Sequence, residues 1–249
     1  STPAYRKGTV GIDMGEEADL QEVTASVSFA LGSTESQAVA AVVVEALQEM
    51  RSTVDANFDE LGRLDAIAGD GDHGIGMQRG VTAAVESAQA AQEAGAGAGS
   101  VLTAAGDAWS NRAGGTSGAL WGVILRSIGA EFGDSTVPDT GKVAVAVAKA
   151  LTGVTDFGKA QVGDKTMVDT LSPFADALAS VTDLDLPSAW SAATEVAESA
   201  AAATATLIPK IGRARPHAEK SVGIPDPGAL SMALIIRSVE HVLRRDRKS

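Results

Sequence analysis

Apolar residues recur at three- and four-residue spacing through most of this chain, a period that commits it to amphipathic helices rather than strands. Abundant alanine and an aromatic content of only 4% point the same way, because alanine is the best helix former and aromatic side chains favour sheets. The expected fold class is all-α. Helices are predicted near 18–31, 35–64, 74–94, 99–112, 117–131, 139–155, 165–181, 187–206 and 228–245. Thr34 with Gln37 forms a capping-box-like start, and Pro187 suits a helix first turn. The stretch EAGAGAG at Glu93 to Gly99 and the proline-containing break from Gly133 to Asp139 mark turns. Connections this short require consecutive helices to run antiparallel, giving one up-and-down bundle or barrel of about eight helices. Residues 1–17 lack the periodicity and read as an extended arm or linker, leaving 18–249 as one domain.

With 249 residues and 45% apolar content the chain can close a substantial core. Cysteine is absent, which excludes a disulfide framework and any thiolate metal site. A formal net charge of -12 argues against a nucleic-acid partner, since a phosphate backbone needs a basic face. The longest apolar runs, such as Ala38 to Leu47 with Glu45 inside, are too short to span a bilayer, and no signal-peptide pattern opens the chain. A cytoplasmic protein without a membrane partner is expected. Most of the carboxylates suit solvated helix faces, so only clustered ones carry a functional argument.

Four glycine-rich polar breaks interrupt the helices. In LDAIAGDGDHG, Asp65, Asp70 and Asp72 fall within eight residues between two predicted helices. Carboxylates that close repel one another unless a cation holds them, and hard oxygen ligands select Mg²⁺, which shares its shell with substrate phosphates. An Asx-turn with a helix N-cap is the alternative for Asp72 and Asp70, but it leaves Asp65 unexplained. His73, Gly74, Ile75 and Gly76 then open a helix whose free N–H groups suit an anion, although His73 taken alone is better explained by capping or packing. In AGGTSG, Thr116 and Ser117 add hydroxyls to a second glycine-rich helix start. The spacing is not that of a Walker loop, and close helix packing is a sufficient reason for Gly114 and Gly118. The third break, FGKAQVGDKTM, spans Phe157 to Met167 and says little alone. The fourth runs from Gly212 and Arg213 to Asp226, Pro227, Gly228 and Ala229, where an arginine can pair phosphate charge or the turn can simply cap a helix.

In this order, GDGDHG, GGTSG, GKAxxGDKTM and GR followed by DPGA, the motifs closely resemble those of the dihydroxyacetone kinase L-domain family, over roughly residues 35–245. The resemblance implies an eight-helix antiparallel up-and-down barrel with a nucleotide, ATP or ADP, at one rim. By similarity Asp65, Asp70 and Asp72 would hold two Mg²⁺ ions bridging the phosphates, and His73 to Gly76 with Thr116 and Ser117 would contact the phosphates. Gly158 and Met167 match positions bordering the adenine. Arg213 and Asp226 to Gly228 match the remaining nucleotide contacts, with Arg213 the candidate catalytic group.

Phosphoryl transfer asks mainly for positioning and charge neutralisation, so such a site is sufficient on the donor side. The expected activity is ATP-dependent phosphorylation of dihydroxyacetone or a relative such as erythrulose. The ketose would be held by a companion K domain that this chain lacks. The arm STPAYRKG resembles the tail of a K domain and makes a fused single-chain kinase the expected parent. Three other readings stay open: the ADP-carrying L subunit of a phosphoenolpyruvate-dependent system, a non-catalytic nucleotide- or lipid-binding module, and a fatty-acid-kinase relative. Oligomeric state is open too, a homodimeric parent enzyme among the alternatives.

Overall fold

A computed structural model describes residues 29–212 and 214–246. The described chain is helical, with an isolated bridge between Leu31 and Ala96 as the sole pairing of extended backbone among the described residues. In order the helices are α1 (Thr34–Ala56), α2 (Phe58–Ala68), α3 (His73–Glu93), α4 (Ala98–Ala113), α5 (Gly115–Phe132), α6 (Thr140–Gly158), α7 (Val168–Ala179), α8 (Leu186–Ala203), α9 (Ala218–Ser221) and α10 (Pro227–Asp246). Short 3₁₀ turns at Thr204–Thr206 and Arg215–His217 lie between α8 and α9.

The long helices pack in a closed ring, α1 beside α3, then α4, α5, α6, α7, α8 and α10, which returns to α1. This is the expected eight-helix up-and-down barrel, with α2 and α9 as additions at one end. Small residues allow its tight walls. A Cβ at Gly99 or Gly129 would stand 2.7 Å from the carbonyl oxygen of the other, and at Gly106 or Gly122 the corresponding distance is 2.9 Å, so α4 and α5 touch backbone to backbone. Inside the ring Trp109 and Trp121 stack with centroids 4.9 Å apart, surrounded by a core that includes Leu47, Val81, Val101 and Val154. Burial of each indole contributes about 4–6 kcal/mol. Both indole N–H groups lack a partner, which costs about 1–3 kcal/mol each and leaves the burial favourable.

Several expected boundaries move. The helix predicted over 35–64 breaks at Asn57, whose side chain donates to the Thr53 carbonyl at 2.8 Å and competes with the backbone ladder. The first cap is Ser33 rather than Thr34: its hydroxyl accepts the Ser36 N–H, while the Gln37 amide donates to the carbonyls of Gly32 and Gly95. The helix predicted over 18–31 falls on residues outside the described ones except for 29–31, which are not helical. Helix α7 starts at Val168 rather than near 165 because Lys165 is left-handed, with φ 62°. Pro187 does lie in the first turn of α8, behind an Asp185 cap.

An up-and-down ring places alternate connections at the same end. The α2–α3, α4–α5, α6–α7 and α8–α10 connections therefore share one rim, and these are the four glycine-rich breaks of the sequence. The opposite rim is closed by hydrogen bonds such as Ser33 N–H to the Asp134 carbonyl at 2.9 Å.

Candidate nucleotide and metal site

The four connections line one cavity of about 690 Å³. At its polar end α2 runs into Gly69, where a Cβ would lie 2.3 Å from a carboxylate oxygen of Asp65 and 2.9 Å from its carbonyl oxygen, so a side chain here would displace the Asp65 carboxylate. Gly71, with φ 79°, then reverses the backbone and brings Asp70 and Asp72 back towards Asp65. One carboxylate oxygen from each of the three lies within 4.8 Å of the others. An all-oxygen, triply anionic donor set of this size fits a hard divalent cation, which would remove the mutual repulsion.

Asp72 occupies the N-cap position of α3 without a side-chain cap bond. It is Asp65 that accepts the His73 N–H, at 3.2 Å. The capping alternative raised for Asp72 thus belongs to Asp65. His73 is buried, and its Nε2 lies 3.0 Å from the Ser231 hydroxyl, which itself donates to the Gly228 carbonyl at 3.0 Å. Burial pushes the imidazole below its usual range, only partly offset by Asp65 and by a hydrogen bond to the Pro227 carbonyl. Both the backbone N–H and the ring of His73 are engaged, joining α3 to Asp65 and to α10. Gly74 does not line the cavity; a Cβ there would stand 2.5 Å from the Phe58 carbonyl oxygen, so close packing against α2 accounts for the glycine. Ile75 and Gly76 do line it.

Across the cavity, Gly114 and Gly115 have φ 70° and 63° and start α5 with no side-chain cap. Its first N–H groups are therefore open to a ligand, beside the exposed Thr116 and Ser117. Two helix starts and the carboxylate cluster thus face one space. The remaining wall is mostly apolar, made by Leu120, Val154, Ala160, Met167, Ile211 and Ile224 with Gly158, and Lys165 and Thr166 also line it. The dipoles and carboxylates suit a metal-bound polyphosphate, and the apolar wall suits a flat base.

Asp226, Pro227 and Gly228 close the cavity beside Met167. The Asp226 carboxylate accepts the Ala229 N–H at 2.8 Å and caps α10. Enclosure of that carboxyl, with the Asp169 charge nearby, pushes it up to about 7, against the pull of the Ala229 and Gly228 N–H groups and of Lys165. Lys165 and Asp169, which sequence reasoning left without a role, are both buried here. The Asp169 carboxylate accepts the N–H groups of Gly163 and Thr166, at 2.5 and 2.7 Å, and so fixes the α6–α7 connection. Burial lowers the Lys165 pKa, and Asp226 partly restores it. Arg213 lies outside the described residues, between Gly212 and Ala214, which line the cavity.

The family model for the DAK2 domain matches residues 67–241. The chain is 50% identical over 250 residues to the L-erythrulose kinase of Pectobacterium atrosepticum, covering 99% of this chain and 42% of that one. It is 47% identical to the D-erythrulose kinase of Mycolicibacterium smegmatis, again over 42% of the relative, so it spans well under half of the kinases it resembles. Against the ADP-binding subunit DhaL of the PEP-dependent dihydroxyacetone kinase of Escherichia coli, identity is 35% over 70% of this chain and 83% of the subunit. Among solved structures, the dihydroxyacetone kinase of C. freundii in complex with AMP-PNP and Mg²⁺ superposes with a TM-score of 0.65 at 21% identity, over 95% of this chain and 38% of that one, a likeness of fold.

Proposed function

This chain belongs to the DAK2 domain family, and on that premise we propose that it is the nucleotide-binding domain, over residues 18–249, of an ATP-dependent kinase for a small ketose of the dihydroxyacetone or erythrulose type. One observation carries the reading: the Asp65, Asp70 and Asp72 carboxylates and the starts of α3 and α5 face the same cavity. Two relatives, at 50% and 47% identity, are named erythrulose kinases, which favours a four-carbon ketose as acceptor.

The three carboxylates would hold the magnesium, as two ions by the family resemblance. When bound, the metal neutralises charge on the phosphates and on the phosphoryl group in transit. The N–H groups that open α5, with Thr116 and Ser117, orient the phosphate chain. Gly158 and Met167 border the base within the apolar wall, which excludes water from that end. Pro227 and Gly228 shape the adjoining wall while Asp226 keeps α10 capped. Arg213 would meet the transferring phosphoryl group. The chain needs no nucleophile of its own, because the acceptor hydroxyl is presented by a ketose-binding K domain, fused in the parent protein or supplied in trans. A Mg-ATP donor is available in the cytoplasm, where this enzyme would work. No described helix is long and apolar enough to cross a membrane.

The likeness to the E. coli subunit supports a second reading, in which ADP stays bound as a cofactor. Exchange of bound nucleotide separates the two: rapid exchange marks a substrate, retention through purification a cofactor. Titration calorimetry of the 249-residue chain tests the proposal itself. Metal-dependent binding of ATP, with no phosphorylation of ketose until a K domain is added, is the expected result. Nucleotide binding that survives EDTA unchanged, or ketose phosphorylation by this chain alone, would overturn it.

A further inference from the structure

The apolar end of the cavity has two walls that share no secondary structure: the α6–α7 connection, and the segment between α8 and α10. One buried side chain ties them together, beside a single backbone bond from the Lys210 N–H to the Asp164 carbonyl at 3.3 Å. Lys165 is 3% exposed, and its Nζ donates to the Ser221 carbonyl at 2.6 Å and to the Leu207 carbonyl at 3.2 Å. These two carbonyls bracket residues 208–220, so one ammonium holds both ends of that excursion. The segment contributes Ile211, Gly212 and Ala214 to the cavity.

The tie is built from both sides. Lys165 takes up φ 62°, a conformation unfavourable for a side chain with a Cβ, and in that turn its stem faces the opposing segment instead of solvent. Asp169 anchors the turn on either side of it through the Gly163 and Thr166 N–H groups. Asp226 is near enough to attract the ammonium, and its own N–H is held by the Thr204 hydroxyl at 2.9 Å. A buried ammonium with two carbonyl partners and Asp226 nearby is costly to displace, whereas the Lys210–Asp164 pair beside it, at 3.6 Å with the lysine 63% exposed, is a weak surface contact.

We infer that Lys165 is a positioning residue for the nucleotide base: by pinning both ends of residues 208–220 to the α6–α7 connection it sets the width of the apolar end of the cavity, without reaching the phosphate end. The inference rests on the nucleotide-site reading above. It separates two ligands that share the metal and the helix starts but differ in possessing a base.

The experiment is calorimetric titration of the 249-residue chain and of Lys165→Met with Mg-ADP and with Mg-pyrophosphate. Lys165→Met is expected to weaken Mg-ADP at least about ten-fold while changing Mg-pyrophosphate by less than about two-fold. An equal loss for both ligands would make Lys165 a structural residue only and overturn the inference, as would an unchanged Mg-ADP affinity. If the parent chain binds neither ligand, the site reading fails and this inference with it; if the parent binds both and the variant matches it, the inference alone fails. Hydrogen exchange on the unsubstituted chain gives a second readout that does not depend on the variant folding. Amides of residues 208–220 should gain more protection from Mg-ADP than from Mg-pyrophosphate, and equal protection contradicts the inference.

Discussion

Asp65 accepts the backbone N–H of His73 at 3.2 Å, so a residue near the end of one helix caps the start of the next across the intervening turn. The same carboxylate belongs to the acidic cluster, and the two tasks pull differently on stability. Without metal, Asp65→Ala removes a cap worth about 1 kcal/mol, a fall of roughly 2–4 °C in melting temperature. Asp72→Ala, at a position with no side-chain cap bond, should cost less. Thermal melts of the metal-free proteins check this, and a loss in Asp72→Ala equal to that in Asp65→Ala would refute the division of roles.

Asp226 gives a pH signature. Its carboxyl is raised to about 7 in the fold, against about 3.9 in an unfolded chain. Folding therefore favours the protonated form: the contribution is fully present below about pH 4, is lost as pH rises towards 7, and is flat above. Asp169 from α7 opposes its ionisation and Lys165 from the α6–α7 connection favours it. Asp226→Asn retains an oxygen for the Ala229 N–H and lacks the titration. Its melting temperature relative to the parent should climb between pH 5 and pH 7.5, by the equivalent of at least about 1.4 kcal/mol, one pKa unit. A difference independent of pH would show that Asp226 ionises normally.

Arg213 lies in sequence between two cavity-lining residues, Gly212 and Ala214. If its guanidinium meets the phosphoryl group only as charge develops, Arg213→Ala should lower turnover of the enzyme assembled with its ketose-binding partner, with Mg-ATP affinity changed much less. Steady-state kinetics beside direct binding measures the split. Equal losses in both would make Arg213 a ground-state binding residue.

The rim was legible in the sequence because of a simple property of rings: glycine-rich breaks at alternate connections must lie at one end, so Asp65, Thr116, Met167 and Asp226 converge once the helix order is read. The break at Asn57 was hidden because an apolar period runs through it and only a local side-chain bond to Thr53 interrupts the ladder. Lys165 was invisible for another reason. Its partners Leu207 and Ser221 lie 42 and 56 residues away in irregular segments, and no periodicity encodes such a pairing. The Trp109–Trp121 stack is likewise a product of α4–α5 register that spacing alone does not reveal.

The central claim is that the acidic cluster binds nucleotide through a metal, and differential scanning calorimetry of the parent chain and Asp70→Asn tests it most directly. Without metal, Asp70→Asn should leave the melting temperature unchanged or slightly raised, because one of three converging charges is gone. Mg-ADP at about a hundred times its dissociation constant should stabilise the parent by about 2.7 kcal/mol, roughly 5–10 °C for a domain of this size. ADP with EDTA should give little of that shift, and Asp70→Asn should give little of it even with Mg²⁺. An Mg-ADP shift in Asp70→Asn as large as the parent's would contradict the account.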